Sequence, residues 1–485
     1  MTPASSLRLA VPAALALLLA ACANPSGIAP QAALRDAASV GVPTQDSAVP
    51  AVEAAWWRAY GDPALDRLVD QALAGSPTLA LAQARLARAQ AVVEVADAAL
   101  LPQIGLGVDL TRQRYTETGA VPAPLAGSVQ DTGQIQLSGS WELDFFGKNR
   151  AALDAALGGV RAAAADAQAA RALLAQQTVR GWLQLARAQD QLTVAERTLA
   201  QRGEQLALVR DRVDAGLDTR LELRQAEGGL PEARQQVEAL REQIQLARNA
   251  LAALAAQPPE ALAQAAPSLA RLQVPSLPAV LPADLLGRRA DVQAARWRVE
   301  AATQDVDVAR AQFYPNISLT GFAGLSSIGL SNLLQASSLQ WGIGPALRLP
   351  LFDAGRLRAN LRGKAADVDA AVDSYNGAIV GAVREVSDQL VSARSIGVQQ
   401  QEQRAAQLAA EDAYAIARQR YAAGLGNYLQ VLTAESTVLA QRRQQVDLAA
   451  RALDVQALLA HALGGGVTPD PVPAARATPL AQNQR

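Results

Sequence analysis

Cysteine and histidine, two residue types that often carry catalytic chemistry, are nearly absent from this chain of 485 residues. It has one cysteine, Cys22, and one histidine, His461. A disulfide needs two thiols, a zinc site needs several clustered ligands, and an imidazole-activated nucleophile needs a nearby histidine. We find no glycine-rich phosphate loop followed by Lys and Ser or Thr, and no carboxylate pair that we can place in a pocket. We therefore predict a protein that is not an enzyme and that has no cofactor or metal.

The overall composition excludes a further class of partner. Half of the residues are hydrophobic, 18% are charged, and the formal net charge is -1. Proteins that bind nucleic acid usually carry a strong excess of positive charge. We therefore expect no nucleic-acid partner.

The single cysteine follows a segment typical of export signals. Arg8 precedes the apolar residues 9–20, a stretch shorter than the roughly 20 residues that span a bilayer. The four residues that end at Cys22, Leu-Ala-Ala-Cys, resemble the lipobox of bacterial lipoproteins. We predict a signal peptide at residues 1–21 and a lipidated N-terminal segment at residues 22–63. The alternative is an ordinary signal peptide followed by an incidental cysteine.

The rest of the chain consists of two copies of one unit. The residues around Gly216 recur around Gly424 at a spacing of 208 residues. Each copy is predicted to hold a helix, two strands and a long helical hairpin. The predicted boundaries are repeat 1 at 64–256, a Pro-rich connector at 257–283, repeat 2 at 284–464 and a flexible tail at 465–485.

The strands alternate in polarity. Similar segments occur at residues 104–111, 134–145, 317–319 and 339–351, and all but the third have about the 9–11 residues of a tilted transmembrane strand. One face is apolar, and we expect the other to be polar throughout. Because four strands cannot close a barrel and open strand edges are not tolerated in lipid, several copies must pool their strands.

The segment after each second strand has the periodicity of a very long helix. Leu185, Leu192, Leu199 and Leu206 keep a seven-residue spacing, and a helix over residues 148–214 would be about 100 Å long. A solitary antiparallel coiled coil has the same periodicity. In the second helix of repeat 1, Pro231 should cost about 3 kcal/mol unless the helix kinks there. We predict different bends in the two hairpins, because repeat 2 has no proline at that position.

Several local motifs together resemble those of one family. They are the Trp-Trp pair that begins at Trp56, the Ser-Trp-Glu-Leu-Asp run from Ser140, the Gly-Arg-Arg-Ala-Asp run that ends at Asp291 and the Pro-Leu-Phe-Asp run from Pro350. From Cys22 to about Gly464 the chain resembles the TolC-type outer-membrane efflux factors, in the OprM- or NodT-like lipoprotein branch.

The resemblance implies a mixed α and β membrane protein that works as a homotrimer. Four strands from each copy would form a twelve-stranded outer-membrane β-barrel, and the coiled-coil-like helices would form a periplasmic α-barrel. The implied function is a passive conduit that exports small molecules from a Gram-negative bacterium. Its implied partners are outer-membrane lipid, a periplasmic membrane-fusion adaptor and, through the adaptor, an inner-membrane pump of the RND type.

The resemblance also implies site residues. Those that would contact the adaptor at the hairpin tips are Arg212, Gly216, Leu217, Arg420, Gly424 and Leu425. Relatives narrow the tunnel with a leucine and an aspartate one helical turn later; here Leu429 keeps the first position and Thr433 replaces the aspartate. A ring of hydroxyl groups should hold cations less strongly than a ring of carboxylates.

Two other functions fit the same sequence features. One is a conduit of type I protein secretion, and the other is a lipid-anchored periplasmic coiled-coil scaffold without a pore. The exported substrate would be decided largely by the pump.

Overall fold

The computed structural model describes residues 25–41, 52–275 and 285–467. Cys22 and the predicted signal peptide lie outside the described residues, as do residues 276–283 of the connector and 468–485 of the tail. The chain divides into two units. The first takes its residues from Met1–Arg35, Ala84–Ala164 and Ala294–Gly377, and the second from Asp36–Gln83, Ala165–Gln293 and Ala378–Arg485.

The first unit contains one antiparallel sheet, in which all four strands lie in chain order. The strands are β1 (Gln103–Arg114), β2 (Val129–Leu143), β3 (Asn316–Ile328) and β4 (Leu339–Arg348). The observed strands confirm two per repeat, but β4 ends at Arg348, earlier than the alternation suggested. Within the described chain, β1 and β4 each pair with one neighbour, so the sheet is open at both edges.

The register of this sheet brings the apolar phases of all four strands onto one face. Leu137 on β2 lies opposite Leu106 on β1 and Ala323 on β3, and Ala323 lies opposite Trp341 on β4. Trp341 and Leu106 are 73% and 69% exposed in the single chain. A sheet with such a face in water would need a covering layer, because large exposed apolar patches mark interaction or membrane surfaces.

The helices account for most of the described residues. They are α1 (Pro63–Gly75), α2 (Pro77–Ala98), α3 (Lys148–Asp214), α4 (Arg220–Leu254), α5 (Ala290–Ala311), α6 (Arg356–Ala422) and α7 (Tyr428–Ala462). One further helical turn spans Leu285–Arg288, and short 3-10 turns occur in the connecting segments.

The lengths of the long helices repeat between the two halves. Both α3 and α6 have 67 residues, and both α4 and α7 have 35 residues. The predicted helix over residues 148–214 is therefore confirmed. α4 continues through Pro231 as one helix, whereas the predicted difference in bend between the hairpins stays a prediction.

The N-terminal segment of the first unit lies along α6. The backbone N–H groups of Gln31 and Ala32 donate to Asp369 Oδ1 at 2.7 and 2.8 Å, and the N–H of Arg35 donates to Asn376 Oδ1 at 2.9 Å. Residue numbers in the segment and in α6 therefore increase in the same direction. The segment therefore runs parallel to α6, and its N-terminal end lies towards the beginning of that helix.

The second unit has its largest core around an aromatic group near the start of α1. Trp56, Trp57 and Tyr60 pack with Leu185 of α3 and Leu251 of α4. The Tyr60 hydroxyl donates to a carbonyl of α7 at 2.9 Å, which satisfies the phenol inside this apolar core.

None of the helices in the described part of the chain is both long and apolar enough to cross a bilayer. In the same part of the chain, His, Cys, Asp and Glu form no group of three that could hold a metal ion.

Candidate functional site

Both long hairpins turn at a glycine in the left-handed region of the backbone. Gly216 has φ +73° and Gly424 has φ +76°. In each turn the following N–H reaches back to close the helix: Leu217 N donates to Arg212 O, and Leu425 N donates to Arg420 O, both at 2.8 Å. Residues with a Cβ rarely adopt this conformation, so glycine is the residue that suits both turns.

The returning helices begin with side-chain caps. Thr219 Oγ1 accepts a hydrogen bond from Leu221 N at 3.1 Å, and Glu222 Oε2 accepts one from Thr219 N at 2.9 Å. This reciprocal pair caps α4. At the corresponding position of repeat 2, Asn427 Oδ1 accepts from Gln430 N at 3.0 Å and caps α7. Both turns are therefore set by short-range contacts.

A polar cluster joins the two tips. Arg212 donates from Nε to Asp218 Oδ2 at 2.9 Å and from Nη2 to Asp218 Oδ1 at 3.4 Å. The Tyr421 hydroxyl, from the other hairpin, donates to Asp218 Oδ2. The guanidinium carbon of Arg212 also lies 4.6 Å from the centre of the Tyr421 ring. We call Arg212, Asp218 and Tyr421 the tip link.

Burial and hydrogen bonding change the ionisation of this tip link. Burial raises the pKa of Asp218, but the hydrogen bonds from Arg212 and Tyr421 and the charge of Arg212 outweigh it and lower the pKa below its ordinary value. Burial, together with the neighbouring carboxylate, raises the pKa of Tyr421. Asp218 is therefore charged and Tyr421 neutral near pH 7.

The tip residues named from the sequence differ in how they meet solvent. Leu217 and Leu425 are 65% and 70% exposed, and Arg420 is also exposed. The side chain of Arg212 is only 12% exposed, because Asp218 and Tyr421 enclose it. Arg212 and Arg420 occupy equivalent positions in the two repeats. In the structure, however, only Arg212 belongs to the tip link.

Leu429 and Thr433 lie one helical turn apart near the start of α7. Leu429 is 62% exposed in the single chain, and Thr433 is exposed too. Thr433 Oγ1 donates to the carbonyl of Leu429 at 2.9 Å. The Thr433 hydroxyl thus bonds its own helix and adds no charge to this surface.

Asp218 is not among the residues that the sequence indicates as functional, and Tyr421 is indicated only as part of the second tip. A signal was present, because the two repeats differ at these positions: at the spacing of 208, Asp218 corresponds to Gly426, and Tyr421 corresponds to Val213. When the two repeats have matching turns but different residues beside them, those residues can indicate a contact between the repeats. The partners themselves are 203 residues apart, so only the tertiary structure pairs them.

A second polar cluster joins the hairpins further along the helices. Arg202 of α3 lies 3.6 Å from the carboxylate of Glu435 of α7, and its Nη1 donates to Glu232 and to the Gly229 carbonyl of α4, each at 2.8 Å. Glu435 is 2% exposed, and its burial raises the pKa of the carboxyl despite the nearby Arg202.

The sheet is the other candidate functional surface. Its polar face includes Gln134, Gln136 and Gln340, and the amide of Gln136 accepts from both neighbours. The expectation of a face that is polar throughout is wrong. The register places Phe322 on this face, opposite Ser138 of β2 and Gly342 of β4, and it also places Ile328 there, opposite Thr132 of β2.

Known proteins resemble this chain in both sequence and fold. The family model described as outer membrane efflux protein matches residues 68–257 and again residues 281–465. The chain is 40% identical over 360 residues to the fusaric acid resistance protein FusA of Burkholderia cepacia, covering 72% of this chain and 67% of FusA.

Solved structures have the same fold. The outer membrane protein VceC of Vibrio cholerae superimposes with a TM-score of 0.82 at 36% identity, covering 86% of this chain and all of VceC. The open state of the outer membrane channel MtrE of Neisseria gonorrhoeae gives a TM-score of 0.77 at 26% identity, covering 91% of this chain and 98% of MtrE. These matches confirm the resemblance and the internal repeat, and the chain belongs to the outer membrane efflux protein family.

Proposed function

We propose that three copies of the chain join their sheets into one twelve-stranded outer-membrane barrel and their long helices into a periplasmic tunnel. The observation that supports this most directly is the open sheet with one apolar face and one mostly polar face. In hydrocarbon, each unpaired N–H or C=O at a strand edge would cost several kcal/mol. Joining β4 of one copy to β1 of the next removes both edges.

In this assembly the protein is a passive export conduit without catalytic activity of its own. Purified full-length protein in detergent should form threefold particles in electron cryo-microscopy, and it should conduct ions in planar bilayers. A pore-free scaffold would give neither result. The name of FusA, a fusaric acid resistance protein, supports small organic molecules as the exported class, with an RND-type pump and an adaptor completing the system.

The exposed leucines at the tips are the proposed contacts with the adaptor. Leu217 and Leu425 present apolar side chains at the turns, while Gly216, Gly424 and the enclosed Arg212 hold the turn shape and Arg420 adds a charge. Replacing both leucines by Asn should abolish efflux in cells and leave threefold particles and conductance intact. The matched control is the double change to Met, which conserves volume and apolar character and should retain efflux.

Leu429 and Thr433 are the proposed gate. Thr433→Asp would add one carboxylate from each copy and should shift the reversal potential in a KCl gradient towards cation preference. Thr433→Val, which has nearly the same shape and no charge, should not shift it. An unchanged reversal potential in Thr433→Asp would remove this residue from the gate.

A lipid anchor at Cys22 is the final part of the proposal. Cys22 lies three residues before Pro25 in the sequence. The segment that begins at Pro25 lies along α6, with its N-terminal end towards Arg356, where that helix begins after β4. Intact mass spectrometry of membrane-purified protein should show acyl chains that Cys22→Ala lacks. An unmodified wild-type mass would indicate an ordinary signal peptide instead.

A further inference from the structure

The mostly polar face of the sheet carries one large aromatic side chain. Phe322 lies opposite Ser138 on β2 and Gly342 on β4, whereas the large apolar residues of β4, such as Trp341, belong to the opposite face. The residues two places away from Phe322 along β3 are Thr320 and Gly324. Phe322 therefore stands among small or polar neighbours.

Those neighbours leave the ring of Phe322 partly free. The side chain is 40% exposed. Two of its ring carbons lie 2.8 and 3.0 Å from the position that a Cβ on Gly342 would take, so the ring extends over the backbone of β4. One side of the ring contacts the sheet, and the exposed remainder is available to another molecule.

Amide groups flank the same patch. Gln136 on β2 and Gln340 on β4 both lie opposite Gly324, which has no side chain between them. Gln340 Nε2 donates to Gln136 Oε1 at 3.4 Å. The surface thus places an aromatic ring beside two neutral amides, which offer hydrogen bonds without selecting a sign of charge.

We propose that Phe322, with Gln136 and Gln340, is a contact site for small molecules that combine an aromatic ring with a polar group. The ring of such a molecule would pack on Phe322, while its polar group would meet the amides. This inference rests on the proposed function, in which the polar face borders the water-filled conduit. The threefold assembly would then carry three equivalent sites at one level of the barrel.

The first test is block of ion current by a defined aromatic probe. Full-length protein in planar bilayers is first tested for conductance, and then 1-naphthalenesulfonate or octanesulfonate is added. We expect the aromatic probe to block the wild type more strongly, and its block to be roughly three- to tenfold weaker in Phe322→Leu. Gly342→Ala should weaken it too, because its Cβ would displace the ring. Ser138→Ala, on the same face, is the matched control, and the aromatic probe should block it as strongly as it blocks the wild type.

Two results would overturn the inference in distinguishable ways. Normal conductance with equal block of the wild type and Phe322→Leu would refute the aromatic site and leave the conduit standing. Absence of conductance before any probe is added would refute the conduit, and the site with it.

Thiol labelling provides an independent check. In a Cys22→Ala background, Phe322→Cys should react with a charged, membrane-impermeant methanethiosulfonate, because the proposed polar face borders the water-filled conduit. Trp341→Cys, on the opposite face, should react much more slowly in a bilayer. Faster labelling of Trp341→Cys than of Phe322→Cys would reverse the two faces and overturn the proposal.

Discussion

At the scale of single residues, the tip link joins the two hairpins through a charged carboxylate. Asp218 accepts hydrogen bonds from Arg212 of its own hairpin and from Tyr421 of the other. Hydrogen bonds to a charged group contribute about 1.5–3 kcal/mol. Because the tip link holds the two hairpins together, it should resist any opening of the proposed tunnel that separates their tips.

Removing the charge of Asp218 should therefore open the tip more often. We expect Asp218→Asn to raise single-channel open probability severalfold, because the hydrogen bonds to a neutral amide are weaker. Asp211→Asn, which removes the same charge from an exposed position of α3, should behave like the wild type. Equal open probability in all three proteins would show that the tip link does not restrain the tip.

The pH dependence of the tip link follows from the lowered pKa of Asp218. The charged form stabilises the linked tip at every pH above the ordinary aspartate pKa of 3.8, and this stabilisation is lost as pH falls through the lower folded pKa. Open probability should thus be constant from pH 8 to pH 5 and should rise below about pH 4. A rise near pH 6 would indicate another group.

The pKa of Glu435 is shifted in the opposite direction from that of Asp218. Its burial raises the pKa of the carboxyl, so its contribution to stability is complete below the ordinary value of 4.5 and is lost as pH rises through the raised pKa. Glu435→Gln keeps a neutral side chain at every pH. We expect it to match the wild type at pH 4 and to be more stable than the wild type at pH 7 in thermal unfolding.

The control for this change is Glu232→Gln, which alters the exposed carboxylate on the same Arg202 and should have little effect. Lower stability of Glu435→Gln at pH 7 would mean that the attraction to Arg202 outweighs the burial of the charge.

At the scale of secondary structure, α4 and α7 have equal length but differ at Pro231, where repeat 2 has Leu439. Proline cannot donate to the carbonyl of Glu227, and its ring crowds that carbonyl. We expect Pro231→Leu to stabilise the protein by up to about 3 kcal/mol in thermal unfolding and to slow hydrogen exchange around Glu227. Leu439→Pro should do the reverse. If both changes were neutral, the helix would already accommodate proline without cost.

At the scale of the whole molecule, the N-terminal segment connects the proposed lipid anchor to the first unit. Asp369 and Asn376 hold this segment through its backbone. We expect the double variant Asp369→Ala and Asn376→Ala to release the segment and to accelerate tryptic cleavage after Arg35 at least threefold, because each lost hydrogen bond costs about 1 kcal/mol. Asp373→Ala, on the same helix, is the control. Unchanged cleavage would show that apolar contacts alone retain the segment.

Much of the fold follows from patterns that act over a few residues. Alternating polarity predicts the four strands, the seven-residue spacing predicts α3 over its observed range, and Gly216 and Gly424 predict the two turns. These features depend on backbone geometry and on which side chains share one face, and both are readable from neighbouring residues.

The tertiary structure decided which distant residues meet. Asp218 and Tyr421 are separated by 203 residues, and the enclosure of Arg212 follows from their contact. The alternation of side chains along β3 is enough to predict that Phe322 lies on the polar face. Only the pairing with β4 brings Gly342 beneath its ring. Periodicity reports the direction of a side chain within its own element; the partner depends on strand register and helix packing, which long-range contacts determine.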